Sequence, residues 1–211
     1  MLAKVLSSTI TGIDAIPVEV EVKACPGPNR FTIIGLADNA VKESRDRVIS
    51  AISHSGFSIP EQVLVSLSPA ELKKEGSAFD LPIAIGVLVA SRQVPSTMLK
   101  RISFHGELSL DGQIKKITGA LAYATRSAQL KIPYIVLPAE NARESKILNS
   151  IQTVGVHSLQ EIALFLKSES IPILNIEAPA TEVVVKLQDF QDFSDVCGQD
   201  SAKRALLIAA S

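Results

Sequence analysis

Apolar and polar positions alternate in several short stretches of this chain. Val18, Val20 and Val22 interleave with Glu19, Glu21 and Lys23, the period of two of a strand buried on one face. Cys25-Pro-Gly-Pro-Asn29 breaks that strand, residues 31–34 form a second, and Gly35 ends it. Asp38 has the side chain of a helix N-cap. The spacing predicts a helix from there to about Ser55, with Gly56 as its C-terminal stop. Val63–Leu67 predicts another strand. Leu81–Ser91 is apolar nearly all round, so it predicts a buried helix, capped by Asp80 and with Pro82 in the first turn, where a missing N–H is tolerated. Further on, the pattern predicts strands over residues 102–108, 134–137 and 153–156, and helices over 117–130, 141–148 and 159–166. Strands and helices mixed in this way predict an α/β fold, an α+β mixed sheet with helices layered on it.

The pattern then changes. Residues 168–182 hold two prolines and no clear period, as a linker would, and 181–187 could add one short strand. Asp189–Asp195 is acidic with two phenylalanines, and a helical stretch covers Asp200–Ala210. The chain stops inside that predicted helix, so the natural protein is expected to continue. Charge follows the same division. Residues 71–167 carry 12 basic and 8 acidic groups, whereas 168–211 carry 3 and 7. The expected organisation is one domain over 1–167, a linker over 168–188 and the start of a second module over 189–211.

Composition excludes several classes. The formal net charge is -1, which is no polybasic nucleic-acid module, and with no Trp and 4% aromatics there is no base-stacking platform. Cys25 and Cys197 lie too far apart for a disulfide framework or zinc cluster, and His54, His105 and His157 share no metal-ligand spacing. The longest apolar run, Leu81–Ala90, is about half of the ~20 residues that span a bilayer. The first residues hold no secretory-type apolar stretch, so a cytoplasmic chain without membrane contact is expected.

Among charged residues, Glu43 with Arg47 and Lys42 with Asp46 are surface pairs four apart on the first predicted helix. Arg45 falls on the apolar face with Val41, Val48 and Ile52. It is expected to be more than half buried and paired with a carboxylate, Glu75 or Asp80. The alternative is a subunit-interface or ligand contact. Lys73-Lys74, Lys100-Arg101 and Lys115-Lys116 are solvated pairs or a basic rim facing DNA. Lys73, Lys74, Lys115 and Lys116 join Arg45 as candidate interface residues.

Three stretches carry a family resemblance: Thr11-Gly-Ile-Asp-Ala15, Ile34-Gly-Leu-Ala-Asp38 running into Ala40-Val-Lys-Glu-Ser-Arg45, and Lys74-Glu-Gly-Ser-Ala-Phe-Asp-Leu-Pro82. With these the chain resembles, over essentially its whole length, the amino-terminal part of the magnesium-chelatase-like AAA+ proteins of the ComM/YifB group. Ala37 departs from that pattern, which usually has proline. The middle also resembles the proteolytic domain of Lon proteases, in Lys73–Asp80, in Gly106-Glu-Leu-Ser-Leu-Asp-Gly112 and in Val136-Leu-Pro-Ala-Glu-Asn141. That resemblance implies a Lon-like fold, of the ribosomal small-subunit protein domain-like kind. Lon uses a Ser-Lys dyad, and the matching positions here hold Ala78 and Leu121. Alanine has no nucleophilic oxygen and leucine no proton acceptor, so no catalytic residue is expected. Ser77, next to the empty position, would become reactive only through a register shift, and is otherwise a loop serine hydrogen-bonded to backbone.

In the tail, Asp195-Val-Cys-Gly-Gln199 and Ala202-Lys-Arg-Ala-Leu206 resemble the opening of an AAA+ ATPase module. There Gly198 and Gln199 would line the adenine side of an incomplete site. The phosphate-cradling G-x-x-x-x-G-K-[ST] run does not occur in these 211 residues, so no cofactor is expected on this chain itself. For the full-length parent the resemblance implies ATP and Mg2+, a homo-hexamer, and an ATP-driven DNA helicase promoting branch migration in natural transformation. This chain is then expected to be a non-catalytic accessory or assembly domain, in partnership with its own AAA+ module and reaching DNA through the parent. The alternatives are a Ser-Lys peptidase with shifted residues and a magnesium-chelatase-type assembly subunit.

Overall fold

A computed structural model describes residues 1–35, 38–74, 76–168 and 198–210. It divides into two compact units, Met1–Ala178 and Pro179–Ser211. The first begins with a long hairpin. Strand β1 (Leu2–Thr11) runs antiparallel to β2 (Asp14–Cys25), with Thr11 opposite Asp14. Gly12 takes φ +63° at the first of the two turn positions, the geometry of a type II′ hairpin turn. The hydrophobic pattern does not predict β1, because Ser7, Ser8 and Thr9 occupy buried positions that would ordinarily be apolar.

Strand β3 (Arg30–Ile34), helix α1 (Asn39–His54) and β4 (Gln62–Ser68) make one parallel crossover unit. As expected, Asp38 caps α1, its carboxylate accepting from the Val41 N–H at 2.8 Å. Helix α2 (Asp80–Ala90) is buried along its whole length. Its cap differs from expectation. Asp80 lies inside the first turn and Phe79 precedes it without a side-chain cap, because the Asp80 carboxylate is committed elsewhere. The strand predicted over 102–108 is two strands, β5 (Ile102–Phe104) and β6 (Glu107–Leu108), separated by His105 and Gly106, and β6 pairs instead with β7 (Ile114–Lys115). Helix α3 (Ala120–Gln129) starts three residues later than predicted, since Gly119 is left-handed at φ +80°. Strand β8 (Tyr134–Pro138), helix α4 (Ala139–Ser145), strand β9 (Gln152–Val156) and helix α5 (Leu159–Ser168) complete the unit.

The main sheet is seven-stranded and mixed, in the order β3-β4-β2-β1-β5-β8-β9, antiparallel only at β4-β2 and β2-β1. Helices cover both faces. The larger core packs α1, α2 and α5 on one side, through Val48, Ile52, Leu81, Ile85 and Phe165. The smaller packs α3 on the other, through Ala120, Tyr123 and Ala124 against Ile135 and Leu137. Strand β8 divides its side chains between them by simple alternation, Val136 facing the first core.

In the second unit the described part is Gly198, Gln199 and helix α6 (Asp200–Ala210), with Leu206, Leu207 and Ile208 exposed. The predicted linker beyond Ser168, the short strand over 181–187, the acidic stretch 189–195, Ala37 and Glu75 lie outside the described residues.

Candidate functional site at the start of helix α2

The segment between β4 and α2 is held from two sides. Asp38 ties it to α1, its N–H donating to the Lys74 carbonyl at 3.1 Å while its carboxylate accepts from the Gly76 N–H at 3.4 Å. Gly106 ties it to the end of β5, donating to the Ala78 carbonyl and accepting from the Leu81 N–H, each at 3.0 Å. A Cβ on Gly106 would stand 3.0 Å from Ile114 and 3.2 Å from Leu81, so a side chain there would make both neighbours give by a few tenths of an ångström. The resulting cleft, about 640 Å³, is lined by Asp38, Ser77, Ala78, Glu107, Lys116 and Tyr123 among others.

Ala78 presents a buried methyl group there, and Leu121 is an exposed hydrocarbon on the first turn of α3. The Ser77 hydroxyl donates to the Glu107 carboxylate. The nearest lysine in sequence, Lys74, is fully buried and its ammonium donates to the Pro69 carbonyl. Burial pushes its pKa below the ordinary lysine value. Lys74 is therefore no part of a surface rim, as the dibasic pattern had suggested. Lys73, Lys115 and Lys116 are exposed, and Lys116 stands 3.9 Å from Glu144 at the cleft edge. Lys100 and Arg101 lie in a short turn before β5, with Arg101 over the Tyr134 ring.

Behind the cleft lies an ion pair that sequence reasoning assigned to the wrong arginine. Arg45 is not buried. Its side chain is 54% exposed and pairs with its neighbour Asp46 at 3.1 Å. Arg47 makes the contact instead, gripping Asp80 in bidentate fashion, Nε to Oδ2 at 2.6 Å and Nη2 to Oδ1 at 3.0 Å. Asp80 is wholly buried and also accepts from the Leu108 N–H at 3.1 Å. Burial pushes its carboxyl up, while Arg47, Ser44 and the Leu108 N–H pull it back down. The Asp80 pair raises the Arg47 guanidinium. This pair fastens α1 to α2 and, through the Leu108 N–H, to β6.

A second buried polar group was not singled out by sequence. His105 is fully buried, stacked on Tyr123 with ring centroids 4.2 Å apart, and hydrogen-bonded to Ser103 at 2.8 Å and Ser7 at 3.4 Å. Burial lowers its pKa to about 3 and raises that of Tyr123 to about 12. His54 and His157 are exposed. Among the described residues no cluster of three His, Cys, Asp or Glu is placed to hold a metal, and no helix is long and apolar enough to cross a membrane.

Gly198 and Gln199 are both exposed and left-handed, at φ +69° and +60°, ahead of α6. The first turn of α6 carries Asp200, whose charge opposes a phosphate at that helix end. These residues alone do not fit a nucleotide triphosphate.

Residues 18–141 match the family described as subunit ChlI of Mg-chelatase. The chain is 37% identical over 212 residues to the "Competence protein ComM" of Haemophilus influenzae, covering 100% of this chain and 42% of that protein. It is 37% identical over 201 residues to the "Uncharacterized protein YifB" of Escherichia coli, covering 95% of this chain and 39% of the relative. At 26% identity over 147 residues it also matches the "DNA repair protein RadA" of Listeria monocytogenes, covering 69% of this chain and 32% of that one. The chain belongs to the Mg-chelatase-like ComM/YifB family. It spans about two fifths of the length of the curated ComM and YifB relatives.

Proposed function

We propose that this chain is a non-catalytic, Lon-like accessory and assembly domain that precedes the AAA+ module of a ComM-type ATPase. The observation that carries the reading is the cleft itself. The position matching the peptidase nucleophile is the buried methyl of Ala78 in the cleft, and the one matching its lysine is Leu121, an exposed hydrocarbon outside the cleft lining. The adjacent Ser77 hydroxyl is engaged by a carboxylate, Glu107, and the buried Lys74 ammonium by a backbone carbonyl. A serine needs a neighbouring base to become nucleophilic, and a lysine serves only when its neutral form can reach the hydroxyl. A scaffold kept without its chemistry leaves binding or assembly as its use.

In this reading residues 168–188 link the domain to an ATPase module that begins near 189. Gly198 and Gln199 then border the adenine of a nucleotide whose phosphates and Mg2+ are held by sequence further on. The parent is a cytoplasmic homo-hexamer working as an ATP-driven DNA helicase that promotes branch migration in natural transformation. The names "Competence protein" and "DNA repair protein" carried by two relatives support DNA work by the parent.

The test uses the longer natural protein, whole and without residues 1–168. Loss of the domain is expected to leave ATP hydrolysis within a few-fold while altering the assembly mass in light scattering and DNA-stimulated turnover. A fluorophosphonate label on the chain that disappears in Ser77→Ala would overturn the non-catalytic reading in favour of a shifted peptidase. Unchanged assembly and DNA stimulation after deletion would overturn the accessory role.

A further inference from the structure

The seven-stranded sheet has two edges, and the chain treats them differently. At one, β9 is buried from Thr153 to Val156. At the other, no residue of β3 is buried. An uncovered edge is a template for another strand, and proteins ordinarily blunt it with proline, lysine, a bulge or a covering element. Residues 30–34, Arg-Phe-Thr-Ile-Ile, hold neither proline nor lysine.

The pairing shows which backbone groups are on offer. β3 runs parallel to β4 with Arg30 opposite Gln62, and the Arg30 N–H donates to the Glu61 carbonyl at 2.8 Å. In a parallel ladder the residues that bond a given neighbour alternate. Arg30, Thr32 and Ile34 therefore bond β4, and the N–H and C=O groups of Phe31 and Ile33 point to the open side.

The first part of β3, Arg30 to Thr32, lines a groove together with Arg45, Ile49 and Ser53 of α1 and with Ile59 and Pro60, and Ile33 continues the strand just beyond that lining. The groove measures about 980 Å³, at the upper end of ordinary ligand sites. An edge strand beside a helix accepts an extended chain as an added strand.

Charge narrows the occupant. The lining groups that carry charge are Arg30, Arg45 and Glu61. The Glu61 carboxylate is drawn to the Gly27 N–H at 3.2 Å, and Arg45 has Asp46 beside it at 3.1 Å, 78% exposed and outside the lining. We propose that the β3–α1 groove is a docking site for an extended acidic segment of a partner protein. The segment adds to β3 as an eighth strand, bonds Phe31 and Ile33 through its backbone, and places carboxylates against Arg30 and Arg45.

The experiment follows the amide NMR spectrum of the full chain during titration with two seven-residue peptides. One is Thr-Val-Glu-Val-Glu-Val-Thr, and its twin has lysine in place of both glutamates. The acidic peptide is expected to shift the Phe31 and Ile33 amides at about millimolar concentration, and the lysine twin to leave them unmoved. Arg45→Glu, at an exposed position, should weaken binding roughly fivefold or more. Ile33→Pro removes an outward N–H and no bond to β4, so it should abolish binding while the sheet persists. If Ile33→Pro does not fold, Arg45→Glu and Arg30→Glu decide. No shift at Phe31 and Ile33, equal binding of the twin, or full affinity in the two charge reversals overturns the proposal. Doubling of the chain's mass in light scattering, with the same two amides protected, overturns it in favour of edge-to-edge pairing of copies.

Discussion

Helix α1 carries Arg45 and Arg47 on opposite flanks of its buried face, each roughly 80° from the centre of that face at 100° per residue. The face itself is Val41, Ser44, Val48, Ala51, Ile52 and Ser55. Helical spacing therefore puts both arginines at a boundary and does not tell which boundary meets a carboxylate. Packing against α2 turned the Arg47 flank to Asp80 and left the Arg45 flank at the β3 groove. Arg47→Ala would strand a buried carboxylate, and such a loss is expected to cost about 3–5 kcal/mol. Arg45→Ala should stay within about 0.5 kcal/mol, as an exposed pair does. Urea unfolding of the two variants checks this, and a larger loss for Arg45→Ala would contradict the assignment. Adding Asp80→Asn to Arg47→Ala should recover part of the stability, because the remaining partner is then neutral.

At the level of elements, α2 lies flat across β1 and β2 because Gly86 has no side chain. A Cβ there would collide with the Val22 side chain, its Cβ only 3.1 Å away, and would meet Val5. In a helix that is otherwise Leu, Ile, Val and Ala, this residue looks like a weakness. Its cost as a helix former is offset by the close approach it permits. Gly86→Ala is expected to destabilise the fold by about 1–3 kcal/mol through overpacking, despite its better helix propensity, and so to lower the thermal midpoint. A rise in thermal midpoint would show that the layers can part cheaply. The first strand teaches the complementary lesson. Ser7, Ser8 and Thr9 hide β1 from a hydrophobic count, yet it lies at the centre of the sheet, and Ser7 donates to the Phe104 carbonyl at 3.0 Å. The Ser7 hydroxyl is tolerated there because the neighbouring strand supplies its acceptor, which no local pattern reports.

For the whole molecule, His105 joins β1, β5 and α3, and its titration reads out global stability. Its folded pKa of about 3 lies below the ordinary 6.5. The unfolded chain therefore binds the extra proton between those values, and stability falls as pH drops from 6.5 toward 3. The groups facing the ring, Ser7, Ser103 and Tyr123, stay neutral over that range. The expected slope from this one residue is about 1.4 kcal/mol per pH unit. His105→Gln should flatten the difference curve between pH 6 and 4 by about one proton. Parallel curves for the two proteins would place the ring in water.

Much of this protein was legible in its chain. Alternation and capping located most strands and helices, the Pro82 position and the Asp38 cap, because these depend on neighbours three or four residues away. The matching stretches pointed to the ComM/YifB family. What only tertiary structure decided were choices between equivalent local options: which arginine faces Asp80, whether Lys74 is on the surface or inside, and which sheet edge is covered. Each turns on contacts between residues some thirty or more apart in sequence, or on the direction in which one layer meets another. A period of 2 or 3.6 carries no information about that, because it defines a face without naming what the face will meet.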